Sequence, residues 1–309
     1  MSAVAVNPHS VRSRLSPWLE TALAQLCEGA GSGLAYLGGG QPAAEPTALA
    51  ALALAGNGRS ADAQKAAAWL AQQQLLDGSV AVRPGENKPA WPTSLALVVW
   101  QQLNQDRHFD TAIAKATAWL LAAHGTGSER NEEVGHDTTL IGWSWAENTH
   151  SWLEPTAFAV LALSALGKRE HARAKEAIRL MENRLLDSGG CNYGNTTVFG
   201  RELRAHVQPT GIVLLALAGG PPSAKAQKSI DWLVSQLGPQ TPPASLAWGL
   251  LGLRAQGVVP AASADWLALA AERVHRRDHS PAKLALLALA SVGWPGVPAL
   301  ITSAEALRK

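Results

Sequence analysis

Glu154-Pro155-Thr156-Ala157-Phe158-Ala159-Val160-Leu161-Ala162-Leu163-Ser164-Ala165-Leu166-Gly167 is the stretch that decides the fold. A proline suits the first turn of a helix, because an N–H there has no intrahelical partner and the ring already holds φ at a helical value. After Thr156 the segment carries Ala, Leu, Val and Phe on every side, so it is predicted to be a short helix buried all round. The same start recurs at Glu45-Pro46-Thr47, Trp91-Pro92-Thr93 and Gln208-Pro209-Thr210, and more loosely at Pro242-Pro243-Ala244 and Ser280-Pro281-Ala282. Between these starts lie segments of another kind. Residues 65–76, 112–123, 175–186, 227–237 and 263–274 carry an apolar stripe broken by Lys, Arg, Glu and Gln, the pattern of helices with one wet face.

Alternation of wholly apolar with amphipathic helices predicts an all-α protein built as a ring. An open solenoid of helix pairs leaves both helices of each pair partly exposed, whereas a closed α/α toroid buries an inner set completely inside an outer one. The expectation is therefore an α/α toroid of about six helix pairs. It forms a single domain over 1–309, with an N-terminal helix and lead-in over 1–44 and repeats over about 45–293. Successive prolines are 34 to 63 residues apart, and the longest intervals hold polar insertions at 125–150 and 192–208.

Composition narrows the function classes. Hydrophobic residues make up 47% of the 309 and charged residues only 16%, ample for a core. A net charge of +2, with Lys and Arg scattered, argues against a nucleic-acid partner. Arg12 and Arg14 precede no apolar signal-peptide core, and no stretch reads as a transmembrane segment, so a reducing cytoplasm is expected. Cys27 and Cys191 fit neither a disulfide framework nor a zinc motif.

Twelve of the 17 aromatic residues are tryptophan. Trp69, Trp119, Trp232 and Trp266 each precede a leucine on an amphipathic segment and are expected to fill gaps between outer helices. Trp143, Trp145 and Trp152 crowd one short segment and Trp91 directly precedes an apolar helix, so these four are the candidates for lining an apolar central cavity. Their alternative is to close one end of the ring.

Lys65, Trp69-Leu70, Gln74 and Asp77-Gly78-Ser79-Val80 resemble the QW repeat of the terpenoid cyclase and protein prenyltransferase superfamily, with Val80 in place of the final tryptophan. Looser copies begin at Lys115, with Trp119-Leu120 and His124, and at Lys228, with Trp232-Leu233 and Gln236. The turn Asp187-Ser188-Gly189-Gly190-Cys191 resembles the Asp-Gly-Gly-Trp turn with its tryptophan lost. The resemblance implies a toroid with an isoprenoid-type apolar ligand. It places Glu154 where class II terpene cyclases carry the central acid of their Asp-x-Asp-Asp-Thr-Ala motif, with Trp152 and Pro155 where the flanking acids would stand. In prenyltransferase β-subunits an Asp, a Cys and a His hold zinc. Glu154 and Thr156, or Gln208 and Thr210, occupy the corresponding Asp and Cys positions, so no metal and no cofactor are expected, and Asp187, Cys191 and His206 do not match the spacing. By the same likeness to the β-subunits, a protein partner or a homodimer is a possibility to be tested.

The candidate catalytic residues are thus Glu154 as general acid, Asp137 as a second carboxylate and His150 as a hydrogen-bond partner. The candidate ligand-binding residues are Trp91, Trp143, Trp145, Trp152, Tyr193, His206 and Gln208. Glu154 has a plainer alternative, complementing the positive end of its helix as Glu45 would. Both insertions precede Pro-Thr starts and are expected on one rim, among them Glu129, Glu132, Glu133, His136, Arg201, Glu202 and Arg204. Three functions are compatible with these residues: a terpene cyclase-like or isoprenoid-processing enzyme, a non-catalytic toroid binding an apolar ligand or a protein, and a sugar-active α/α barrel.

Overall fold

The computed structural model describes residues 15–130 and 133–297; Arg12, Arg14 and Glu132 lie outside them. Within these residues the chain forms twelve α-helices and one two-stranded hairpin. The helices opened by proline are α2 (Ala44–Gly56), α4 (Thr93–Leu103), α6 (Leu153–Ala165), α8 (Val207–Leu217), α10 (Pro243–Ala255) and α12 (Pro281–Val292). Most residues of these six are buried, including all of Leu153 to Leu163 in α6. The amphipathic ones are α1 (Pro17–Gly29), α3 (Ser60–Gln72), α5 (Asp110–Ala122), α7 (Ala172–Asn183), α9 (Ala224–Gln236) and α11 (Ser263–Arg277). Each inner helix packs on the next, and α12 packs back on α2 to close the ring. Helix α1, before the first proline start, lies against α12, α11 and α2 and so becomes the sixth outer helix. The expected α/α toroid is the fold observed.

Threonine explains why the proline starts come as Pro-Thr pairs. The Thr47 hydroxyl accepts the Leu34 N–H at 2.8 Å, Thr93 that of Val80 at 2.8 Å, Thr156 that of Trp143 at 2.9 Å and Thr210 that of Cys191 at 2.9 Å. Three of them also donate to a carbonyl three or four residues back, at Ala43, Ala90 and His206. Each inner helix thereby latches the turn that feeds it and satisfies a buried amide that would otherwise be costly. Trp143 occupies the latched position held by Val80 in the repeat before and Cys191 in the repeat after. Gly142 leaves room for this contact, since a Cβ there would stand 2.4 Å from Thr156 Oγ1.

Outer helices return the chain, so all six inner helices start at one rim. Contacts between their lead-in segments agree: Ala44 N–H donates to Val82, Leu153 N–H to Tyr193 and Gly38 N–H to Asp278. At the opposite rim side chains cap the carbonyl ends of neighbouring inner helices. Asn57 donates to Ala288 at 3.2 Å, Arg169 to Ala216 at 2.9 Å and Gln256 to Leu214 at 2.7 Å. The two insertions do share a rim: Val134 pairs with Val198 of β1 (Thr197–Val198), which pairs with β2 (Arg201–Glu202).

The ring interior corrects the expectation of an apolar central cavity. Trp91 stacks on Phe158 with centroids 6.0 Å apart, Phe158 meets Trp248 at 5.6 Å and Trp248 meets Trp294 at 5.9 Å. Phe158 sits on α6 and Trp248 on α10, which α8 separates in the ring, so these side chains meet across its interior. Phe158 and Trp248 are each 2% exposed. Short apolar helices bring large rings into a narrow bore, and filling it is more favourable than leaving it dry and empty.

Candidate functional site

The residue before each Pro-Thr pair stands at the same rim on four successive inner helices: Glu45, Trp91, Glu154 and Gln208. Glu154 is 5% exposed. Its Oε1 accepts from Gln208 Nε2 at 3.0 Å, which ties the start of α6 to that of α8. Burial is the main cause that pushes its carboxyl up to about 7, the Gln208 bond opposes the rise, and the charge of Glu45 adds to it. Glu45 accepts the Tyr36 hydroxyl at 2.6 Å, and burial raises its carboxyl too. Two acids whose carboxyls burial raises therefore stand at one rim, and the charge of Glu45 adds to the rise at Glu154. The likeness of the two Glu-Pro-Thr triplets was the signal for Glu45, which sequence reasoning placed only as a dipole complement.

Asp137 is not part of this pair. Its carboxylate accepts the backbone N–H of Thr139 at 3.0 Å and the hydroxyl of the same residue at 2.7 Å, and these bonds hold it below the ordinary carboxylate range. An Asp two residues before a Thr builds a local turn, which competes with a catalytic placement. His150 is exposed and lies 4.4 Å from the Trp152 ring, so Gln208 and not His150 is the hydrogen-bond partner of Glu154. Cys191 is fully buried, and burial pushes its thiol up to about 12, which keeps it protonated. No group of three or more His, Cys, Asp and Glu side chains gathers as a metal-ligand set among the described residues.

Two open volumes lie at the rim. The first, about 580 Å³, is walled by Trp91, Trp119, Trp143 and Trp145 and reaches Pro155, the neighbour of Glu154. Trp91 and Trp145 meet edge to face at 4.7 Å. Trp143 is 4% exposed, donates its indole N–H to Leu120 at 2.9 Å and carries the Arg173 guanidinium 4.3 Å above its ring, so it is both wall and structural post. Lys88 and Glu147 form an ion pair at the edge of this pocket. The second volume, about 630 Å³, is lined by Tyr193, His206, Gln208 and Trp232. Trp119 and Trp232, expected only to fill gaps between outer helices, each form part of a pocket wall. Trp152, half-buried, lies outside both linings. Phe158, Trp248 and Trp294 line neither pocket, and nothing in their local sequence separates a ring filling the bore from one facing a neighbouring helix.

No family model matches the sequence, and no curated protein is similar to it in sequence. Solved structures are similar in fold. The type II terpene cyclase MstE from Scytonema superposes with a TM-score of 0.59 at 15% identity, over 89% of this chain and 96% of that one. A form of that cyclase was solved with its substrate geranylgeranyl dihydroxybenzoate (TM-score 0.57, 13% identity, 89% and 97% covered). An α-1,6-mannanase of a Salegentibacter species, in complex with α-1,6-mannotriose, gives 0.56 at 12% identity over 89% and 98%. The family 8 glycosyl hydrolase Cel10 of Klebsiella pneumoniae, an endoglucanase, gives 0.51 at 15% over 88% and 98%. Identities this low establish the α/α toroid and nothing about the reaction. No helix among the described residues is long and apolar enough to cross a membrane.

Proposed function

We propose that the protein is an isoprenoid-processing enzyme of the terpene cyclase type, with Glu154 as general acid at the mouth of the tryptophan-walled pocket. One observation carries this reading: a carboxyl 5% exposed and raised to about 7, on the residue next to Pro155, which lines a pocket whose walls are indole rings. Near neutral pH such a group keeps a proton to donate. In the proposed step the Glu154 O–H breaks and a C–H or O–H bond forms on the ligand, the electron pair staying on the carboxylate. Gln208 Nε2, already 3.0 Å from Oε1, supports the anion left behind. Trp91 and Trp145 present π faces to the positive charge that develops on the ligand. Loss of a proton from a neighbouring carbon restores a neutral product. Such an acid is weak for protonating a bare alkene, and an oxygen function such as an epoxide is the more readily activated group.

The test is incubation with squalene, oxidosqualene and geranylgeraniol, with products separated by gas chromatography and mass spectrometry. Glu154→Gln is expected to abolish product while ligands still quench tryptophan fluorescence. Product formed undiminished by Glu154→Gln would end the acid assignment.

Glu45 favours a second reading, a sugar-active barrel. It and Glu154 are two buried carboxyls at one rim, both raised by burial, whereas Asp137 is held low by its own turn. Release of reducing sugar from mannan or cellulose oligosaccharides, lost in both Glu45→Gln and Glu154→Gln, would move the assignment to this class.

A further inference from the structure

The second rim pocket has walls of a different chemistry from the first. Tyr193 lies over His206 with ring centroids 5.1 Å apart, and the Gln208 amide reaches the pocket from the α8 start. Arg204 also lines it, exposed, and its guanidinium makes no ion pair among the described residues. The one carboxylate in the wall, Glu202, is engaged by the Ser188 hydroxyl. The Tyr193 hydroxyl makes no hydrogen bond among the described residues, and Tyr193 feels the charge of Glu154. A cavity of about 630 Å³ thus presents a guanidinium, a phenol, an imidazole and an amide, with one carboxylate in its wall that accepts the Ser188 hydroxyl.

Glu154 stands between the two volumes. Pro155, next in sequence, lines the tryptophan-walled pocket, while Gln208, its hydrogen-bond partner, lines the polar one. The apolar pocket lies at the starts of α4 and α6 and the polar pocket at those of α8 and α10, around one rim. We infer that the ligand is an amphiphile lying across this rim, its apolar chain among Trp91, Trp119 and Trp145 and a carboxylate-bearing head against Arg204, Tyr193 and His206. Arg204 is the specificity-determining residue for that head, because a planar guanidinium matches a carboxylate with two parallel N–H donors. Tyr193 and Gln208 add hydroxyl and amide contacts, and the like-charged Glu202 in the wall is held back by the Ser188 hydroxyl. Such a head would also fix where along the chain Glu154 delivers its proton. This inference rests on the isoprenoid reading above.

The experiment is a fluorescence titration of the full chain with geranylgeranoic acid and with geranylgeraniol, which share a tail and differ in the charge of the head. The wild type is expected to bind the acid about ten-fold more tightly than the alcohol, a preference that shrinks with added salt. Arg204→Gln is expected to remove that preference and leave the alcohol unchanged, its circular dichroism matching wild type because Arg204 is exposed. Equal binding of acid and alcohol by the wild type, or an equal loss for both ligands in the variant, overturns the head-group site and leaves the isoprenoid reading standing. Failure of both ligands to quench overturns the isoprenoid reading itself, and the head-group site with it.

Discussion

At the scale of one residue, Glu154 shows how position sets chemistry. A glutamate at the start of a helix ordinarily complements the helix dipole and stays ionised. Here burial outweighs that attraction, and the carboxyl rises from its ordinary 4.5 to about 7. The folded protein therefore holds this proton to higher pH than the unfolded chain does, so the associated stability is complete below about pH 4.5 and is lost as pH climbs through 7. The loss is on the order of 3 kcal/mol for a shift of this size. Glu45, raised in the same direction, adds to it. Urea denaturation across pH 4.5–8 is expected to show stability falling with pH, and Glu154→Gln is expected to flatten much of that slope. A slope unchanged in the variant would mean that Glu154 titrates normally.

At the scale of elements, the contact between α8 and α10 is the tightest in the ring. A Cβ at Gly211 would stand 2.4 Å from the Trp248 carbonyl oxygen, and one at Gly252 would stand 2.3 Å from the Gly211 carbonyl oxygen. Backbone thus meets backbone, with no flexible side chain to yield. Gly211→Ala must push the two helices apart, although α8 itself would gain helix propensity from the change. The packing loss is expected to win, destabilising the protein by about 1–3 kcal/mol in chemical denaturation. It should also shift the emission of Trp248, which lies directly at the contact. A neutral or stabilising outcome would show that the ring can widen there without cost.

At the scale of the whole molecule, closure joins the first described helix to the last. Helix α1 covers α12 and α2, while the Ser280 hydroxyl donates to the Tyr36 carbonyl across the seam. Leu23 and Leu26 of α1 are wholly buried in that contact. A ring has no free end at which to fray, so a cavity at the seam is expected to lower the stability of every repeat together. Leu26→Ala should cost about 2–5 kcal/mol. Helical circular dichroism and tryptophan emission should still report one coincident transition. Two separated transitions would mean that the repeats unfold independently, as in an open solenoid.

The sequence by itself determined the helices, their sorting into inner and outer sets and the rim at which Glu154 and Gln208 stand. Those features depend on periodicity and on proline and threonine at helix starts, which act over a few residues: α6 is readable from 154–167 alone. The Trp-Leu pairs marked the outer helices, and the X-Pro-Thr triplets held all four residues that stand together at the rim. Tertiary structure alone decided the rest. That the charge of Glu45 reaches Glu154, and that Gln208 rather than His150 bonds Glu154, depend on contacts between segments far apart in the chain. Whether Phe158, Trp248 and Trp294 surround a chamber or fill a bore depends on the radius at which six helices close. That radius follows from backbone contacts such as Gly211 against Gly252, which no local pattern encodes.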